Sequence, residues 1–113
     1  MKEEKPQLYE GMYILSAHLN EDAKNKTLER IKDGIKKRGG EIKKQYDLEK
    51  KKLAYPIGNN KEGHYYLLYF SVTPSAIKEM WQEYHLNENL VRFLTLRTES
   101  VLEEIKFQEL PEE

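Results

Sequence analysis

Cysteine is absent from the 113-residue sequence, which excludes disulfide bonds, thiolate metal sites and a cysteine nucleophile. No apolar run approaches the roughly 18 residues that a membrane-spanning helix needs. The charged start, Met1 to Pro6, also lacks the apolar core of a signal peptide. The length favours a single domain with one modest core. We therefore expect a small cytoplasmic domain with no membrane association.

The chain lacks an overall positive charge, since 20 Asp or Glu balance 19 Lys or Arg, but its positive charge is concentrated in one part of the chain. The net charge is −1, which argues against a uniformly basic nucleic-acid binder. Residues 24–52, however, hold twelve Lys or Arg against five acidic residues, a net charge of +7. Residues 99–113 hold six Glu against one Lys, a net charge of −5. Such segregation can create a surface that faces a polyanion on a chain with no overall positive charge.

The apolar residues change period several times along the chain, and these changes delimit strands and helices. Helix ends are marked by Asn20 and Thr73 as N-caps and by the pair Gly39-Gly40 as a C-terminal stop. A turn is predicted from Gly58 to Gly63. The predicted elements are a strand over 8–15, a helix over 21–38, strands over 42–57 and 64–72, a helix over 74–84 and a strand over 90–98.

The order β-α-β-β-α-β predicts an α+β fold of the ferredoxin-like split βαβ type. This fold is a four-stranded antiparallel sheet with two helices on one face. We place the domain at residues 8–98, after a short N-terminal extension over 1–7 and before an acidic C-terminal tail over 99–113. Because one fold hosts many functions, function must be argued from sites.

Three adjacent lysines, Lys50, Lys51 and Lys52, are the most distinctive charged feature. The alternation of apolar residues slips by one position between Glu49 and Lys52, which predicts a β-bulge or a strand break there. Adjacent cations in a strand pair repel one another unless an anion binds them. Lysines also protect sheet edges from unwanted pairing. Sequence alone leaves phosphate binding and edge protection equally open.

Aromatic residues crowd the segment from His64 to Phe70, which is apolar on both faces. Since helices cover only one face of this fold, the other face should expose Tyr or Leu. An exposed aromatic face either stacks RNA bases or docks a protein. The RNA-recognition octamer is missing, so docking is favoured over stacking. The candidate docking residues are Tyr55, Tyr65 and Tyr69.

Signs of catalysis or of a bound cofactor are lacking. His18, His64 and His85 are too far apart in sequence for a local metal pair, and each is interpreted as a turn or strand-end residue. Nucleophile elbows, phosphate loops and dinucleotide-binding glycines do not occur in the sequence. We expect neither an enzyme nor a metal or other cofactor.

Four motifs in a fixed order carry a family resemblance. They are Tyr9-Glu10, Lys51-Lys52-Leu53-Ala54-Tyr55-Pro56-Ile57, Gly63-His64-Tyr65-Tyr66-Leu67-Leu68 and Leu90-Val91-Arg92-Phe93-Leu94. With their spacing, the chain resembles the bacterial small-subunit ribosomal protein six family over residues 8–98. The family usually has a glycine where Glu49 stands, and a pair of arginines where Lys51 and Lys52 stand. Lysine keeps the charge but not the bidentate fork of arginine.

The resemblance implies a structural ribosomal protein, with no DNA or membrane partner. It implies binding to the central domain of the small-subunit ribosomal RNA together with ribosomal protein eighteen. The expected phosphate contacts are Lys50, Lys51, Lys52, Arg92 and Arg97. The alternative, from a different class, is a homo-oligomeric ferredoxin-like regulatory domain that binds a small ligand.

Overall fold

The computed structural model describes residues 4–57 and 60–101 of the chain. Its elements are β1 (Gln7–Ser16), α1 (Glu21–Lys37), β2 (Glu41–Ile57), β3 (Asn60–Val72), α2 (Pro74–His85) and β4 (Leu90–Arg97). The strands form one antiparallel sheet in the order β2-β3-β1-β4. The predicted element order and the ferredoxin-like split βαβ fold are confirmed.

The helix ends follow the local sequence signals. The Asn20 side chain accepts a hydrogen bond from the Ala23 backbone N–H at 2.8 Å, as expected of an N-cap. Gly39 adopts a φ of 78°, the left-handed conformation that ends many helices. Thr73 stands at the N-cap of α2 but makes no capping bond with its side chain, so Pro74 in the first turn is the main start signal.

The core lies between the two helices and one face of the sheet. Strand residues of this face pack on α1 and α2, and the main contributors are Tyr13, Leu15, Leu68, Phe70, Ile31, Ile35 and Met80. At its centre the hydroxyl groups of Tyr13 and Tyr84 are 2.9 Å apart and form a buried hydrogen bond. Burial of an aliphatic or aromatic side chain stabilises the fold by about 1.5–3 kcal/mol. The side chains on this face of the sheet therefore stabilise the fold and are not available to bind a partner.

The opposite face of the sheet, which we call the open face, is not covered by either described helix. Two rows of paired residues cross it: Leu94, Met12, Leu67 and Tyr46, followed by Arg92, Ile14, Tyr65 and Glu49. Leu94 and Leu96 of β4 keep 54% and 52% of their surface exposed. Any binding surface built on the sheet itself must therefore use this face or its edges.

Gly63 lies inside β3, so the predicted turn is wrong over residues 60–63, and the rest of it, residues 58–59, lies outside the described residues. Strand pairing resumes at Asn60, which lies opposite Ile57. A β-carbon on Gly63 would clash with Cγ2 of Ile14 on the adjacent strand. The glycine is therefore required by the close approach of a neighbouring strand. The central position of β3, between β2 and β1, agrees with its continuous apolar sequence.

Most of the acidic tail, residues 102–113, lies outside the described residues. Within the described part of the chain, neither helix is long and apolar enough to cross a membrane. Over the same residues, no three His, Asp or Glu side chains are grouped so as to hold a metal ion.

Candidate nucleic-acid interface

The lysine run follows a β-bulge in β2, an edge strand of the sheet. Asp47 lies opposite Tyr66, but Glu49 lies opposite Tyr65, so Leu48 is one residue too many for the pairing. Glu49 has a φ of 66°, the left-handed conformation that favours glycine. The sequence predicted a slip between Glu49 and Lys52, but pairing is regular there, and the bulge lies just before that interval, at Leu48. Glu49 also occupies the position at which the family that the sequence resembles usually has glycine.

The bulge determines which side of the sheet each lysine faces. Lys51 lies opposite Gly63 on the open face, with its Nζ 5.7 Å from the centre of the Tyr65 ring. This distance is within reach of a cation–π interaction. Partial burial lowers the pKa of Lys51, and the nearby Glu49 carboxylate opposes that effect. Lys50 and Lys52 are exposed and alternate with Lys51 along the strand.

Arg92 lies at the same end of the sheet as the lysine run. It is paired with Ile14 on β1, in the row that also contains Tyr65 and Glu49. Its Nη1 donates a hydrogen bond to the Tyr55 hydroxyl at 2.9 Å. Tyr55 belongs to β2 and Arg92 to β4, with two strands between them, so the end of β2 reaches across the open face. Four candidate cations therefore share one end of the molecule.

Arg97 is separated from that group. It lies opposite Tyr9, whose side chain belongs to the helix-covered core, and it donates to Oε1 of Gln7 at 2.5 Å. Five residues along β4 place it about 17 Å from Arg92, at the other end of the strand. A single short stretch of RNA backbone therefore cannot contact both Arg97 and the lysine run.

Two basic residues at the end of α1, Lys37 and Arg38, are engaged in ion pairs. Arg38 contacts Glu83 at 2.6 Å and Glu79 at 3.3 Å, and Lys37 contacts Glu83 at 3.4 Å. The hydrogen bond from Arg38 lowers the pKa of Glu83, against a smaller opposing effect of burial. These contacts join α1 to α2 on the far side of the sheet from the open face.

The three candidate docking tyrosines differ in exposure. Tyr55 is 59% exposed and Tyr65 is half-buried, but Tyr69 is fully buried. The Tyr69 hydroxyl donates to Glu10 at 3.3 Å, so this ring belongs to the open face but is covered by its neighbours. On the open face, Leu94 and Leu96 are exposed apolar residues that the sequence analysis did not single out. Their period-two spacing in the last strand was the available signal.

His64 is half-buried in β3 and contacts Asp47 across the strand pair. Its Nε2 lies 2.7 Å from Oδ1 of Asp47, and its ring stacks on Tyr66 at 4.6 Å between centroids. The same Oδ1 accepts the Glu49 backbone N–H at 2.8 Å. Partial burial raises the pKa of Asp47, but these two hydrogen bonds together with the charges of His64 and Lys24 lower it overall.

Comparison with known proteins identifies the family of the chain. The family model described as ribosomal protein S6 matches residues 8–97. Small ribosomal subunit protein bS6 of Protochlamydia amoebophila (strain UWE25) is 52% identical over 113 residues, covering 100% of this chain and 99% of the relative. The protein of the same name in Chlamydia felis (strain Fe/C-56) is 55% identical over 112 residues, covering 99% of this chain and 100% of the relative.

A solved structure agrees with the fold. The crystal structure of 30S ribosomal protein S6 from Thermotoga maritima has a TM-score of 0.78 and 29% sequence identity, and covers 83% of this chain and 89% of that one. The family model, the relatives and the solved structure all point to the same family. The chain therefore belongs to the ribosomal protein S6 family, a structural and non-enzymatic component of the small ribosomal subunit.

Proposed function

We propose that this chain binds the central domain of the small-subunit ribosomal RNA in the cytoplasm, together with ribosomal protein eighteen. The observation that carries the proposal is the group of four cations at one end of the sheet: Lys51 and Arg92 on the open face, and Lys50 and Lys52 on the other side of the edge strand β2. These side chains neutralise backbone phosphates, which positions the protein on the RNA without reading base sequence. Arg97 contributes through a separate stretch of RNA, given its distance from the group.

The cation group suits an elongated polyanion better than a small anion. Alternating lysines point to both sides of an edge strand, so that successive phosphates can be contacted along the strand. Arg92 uses one N–H on Tyr55 and retains its other donors for phosphate. The protection of the sheet edge by lysine is compatible with this function, because both need exposed cations.

A protein partner is supported by the open face. Leu94 and Leu96 expose apolar surface close to the half-buried Met12, and a protein interface core typically covers such residues. The whole chain carries a net charge of −1, so it brings few phosphate contacts of its own. A basic partner docked on this face supplies the remaining affinity, since two proteins on one site gain from the contact between them.

In this proposal, the acidic tail over 99–113 contacts the basic partner. Its glutamates are repelled by RNA, whereas Leu102, Ile105 and Phe107 provide apolar groups that a protein surface can bind. The domain over 8–98 is then the RNA-binding unit, and the tail serves the partner.

The proposal is tested by titrating a central-domain rRNA fragment with the chain alone, with ribosomal protein eighteen alone and with both. We expect weak binding by the chain alone and much tighter binding by the pair. In parallel, the chain in a lysate gradient should co-sediment with small subunits. Equal binding by the chain alone and by the pair would contradict the cooperative part of the proposal. A discrete homodimer free of RNA would favour a homo-oligomeric regulatory domain.

A further inference from the structure

Asp47 lies just before the lysine run on β2, and His64 lies on β3 opposite Lys50. The Asp47 carboxylate oxygen Oδ1 accepts two hydrogen bonds, from the Glu49 backbone N–H at 2.8 Å and from His64 Nε2 at 2.7 Å. The first bond closes a local turn of the type that Asp side chains form with the backbone two residues on. The second fixes that turn to the neighbouring strand β3.

His64 is itself held in place. Its ring stacks on Tyr66 with an interplanar angle of 15°, and 13% of its side chain is exposed. Tyr66 belongs to the helix-side core and is 2% exposed. The chain of contacts therefore runs from the core, through Tyr66 and His64, to the carboxylate and to the Glu49 backbone.

This turn holds a backbone conformation that is unfavourable for its residue. Glu49 has a φ of 66°, a conformation in which residues other than Gly, Asn and Asp are rarely found. Without support, the segment would relax toward an ordinary strand and the bulge would be lost. The hydrogen bond from its N–H to Asp47 opposes that relaxation.

Loss of the bulge would change which residues face the open face. A one-residue slip turns every following side chain to the opposite side of a sheet. Lys51 now lies opposite Gly63 on the open face. In the slipped register Lys51 would face the opposite side, and Lys50 and Lys52 would replace it on the open face.

We propose that Asp47 and His64 are positioning residues for RNA binding: they clamp the bulge at Glu49 and so fix the register in which Lys50, Lys51 and Lys52 meet the RNA. This inference rests on the proposed function of those lysines. It assigns a favourable role in polyanion binding to a carboxylate, which by charge alone would oppose it.

The direction in which RNA affinity changes therefore distinguishes a positioning role of Asp47 from simple charge repulsion. Removing a carboxylate beside a polyanion site raises affinity if only charge matters, because a repulsive charge is lost. We expect Asp47→Ala instead to weaken binding of the central-domain rRNA fragment, in the presence of ribosomal protein eighteen, by about tenfold. The salt slope should fall by about one phosphate contact, or 0.7–0.9. Glu41→Ala is the matched control, since it removes an acid from the same strand, and it should leave affinity unchanged or slightly higher.

Two rescue variants separate positioning from general damage. Asp47→Asn keeps the acceptor oxygen and removes the charge, so it should bind as tightly as the wild type or more tightly. The double variant Asp47→Ala with Glu49→Gly should recover most of the lost affinity, because glycine adopts the positive φ without a clamp. His64→Phe keeps the stacked ring and removes the cross-strand bond. It should weaken binding severalfold and serves as the test should Asp47→Ala fail to fold.

The outcomes distinguish the clamp from the function on which it rests. The variant with Lys50, Lys51 and Lys52 all changed to Glu reports on the proposed function. If that variant loses binding while Asp47→Ala and His64→Phe, both folded by circular dichroism, bind as tightly as the wild type, the clamp is overturned and the function stands. A failure of the rescue by Glu49→Gly would also overturn the clamp. If the triple lysine variant binds normally, the proposed function and the clamp's role in it both fail.

Discussion

Replacement of Glu49 by glycine should stabilise the isolated domain, although it deletes an entire side chain. The residue has a φ of 66° within the bulge of β2. Its side chain is exposed, so little packing is lost on its removal. The perturbation therefore acts mainly through the backbone.

The expected magnitude follows from two opposing terms. A non-glycine residue in the left-handed region costs about 1–2 kcal/mol, which glycine recovers. Glycine in turn makes the unfolded chain more flexible, at a cost of about 0.4–1 kcal/mol. The net gain is about 0.5–1 kcal/mol, or a rise in Tm of about 2–6 °C for a domain of this size.

The assay is reversible thermal and urea unfolding of the isolated chain without RNA, compared with Glu49→Ala. Both variants remove the carboxylate, but alanine keeps the β-carbon and its strain. The glycine variant should exceed the alanine variant by about 1 kcal/mol. Equal stability of the two, or a glycine variant less stable than the wild type, would refute the argument that Glu49 is held in a strained conformation.

Three further predictions concern the core, the open face and the tail. Burial raises the pKa of Tyr84 to about 12 and that of Tyr13 well above its ordinary value, so both hydroxyls stay protonated in the folded chain at a pH where the unfolded chain loses them. This contribution is complete below about pH 10 and is lost as the pH rises toward 12. The wild type should therefore lose about 3 kcal/mol of unfolding free energy over that range through Tyr84, and Tyr84→Phe should not show that loss in alkaline unfolding. Changing Leu94 and Leu96 to Ser should weaken the binding of ribosomal protein eighteen, measured by calorimetry, by tenfold or more. The Tm should change little, because both side chains are half-exposed. Unchanged binding would exclude this part of the open face from the interface. Truncation after Thr98 should preserve Tm and lower affinity for the same partner, whereas a large fall in Tm would place the tail in the domain's own core.

Much of the fold could be predicted because its determinants are local. Asn20, the glycine pair at 39–40 and Pro74 mark helix ends through their own backbone chemistry. The slip in apolar alternation located the bulge to within two residues, since side-chain direction in a strand depends only on the count along the chain.

The arrangement of the site could not be predicted, because it depends on register between distant strands. The sequence placed Arg92 and Arg97 on one strand but could not tell that pairing puts only Arg92 near the lysines. The hydrogen bond between Tyr55 and Arg92 requires β2 to reach across two strands. Gly63 was misread for a related reason, as a glycine needed for close approach to Ile14 has the same sequence signal as one in a turn.

The contact between the sheet edge and the RNA is tested most directly by reconstituting small subunits with two charge-reversal variants in competition with the wild-type chain. One variant changes Lys50, Lys51 and Lys52 to Glu, and the control changes Lys26, Arg30 and Lys36 of α1, which are exposed on the helix side of the sheet, to Glu. Both shift the net charge equally. We expect the first variant to be excluded from the assembled subunit with an unchanged Tm, while the control is incorporated far better. Equal incorporation of both variants, or equal exclusion, would contradict it.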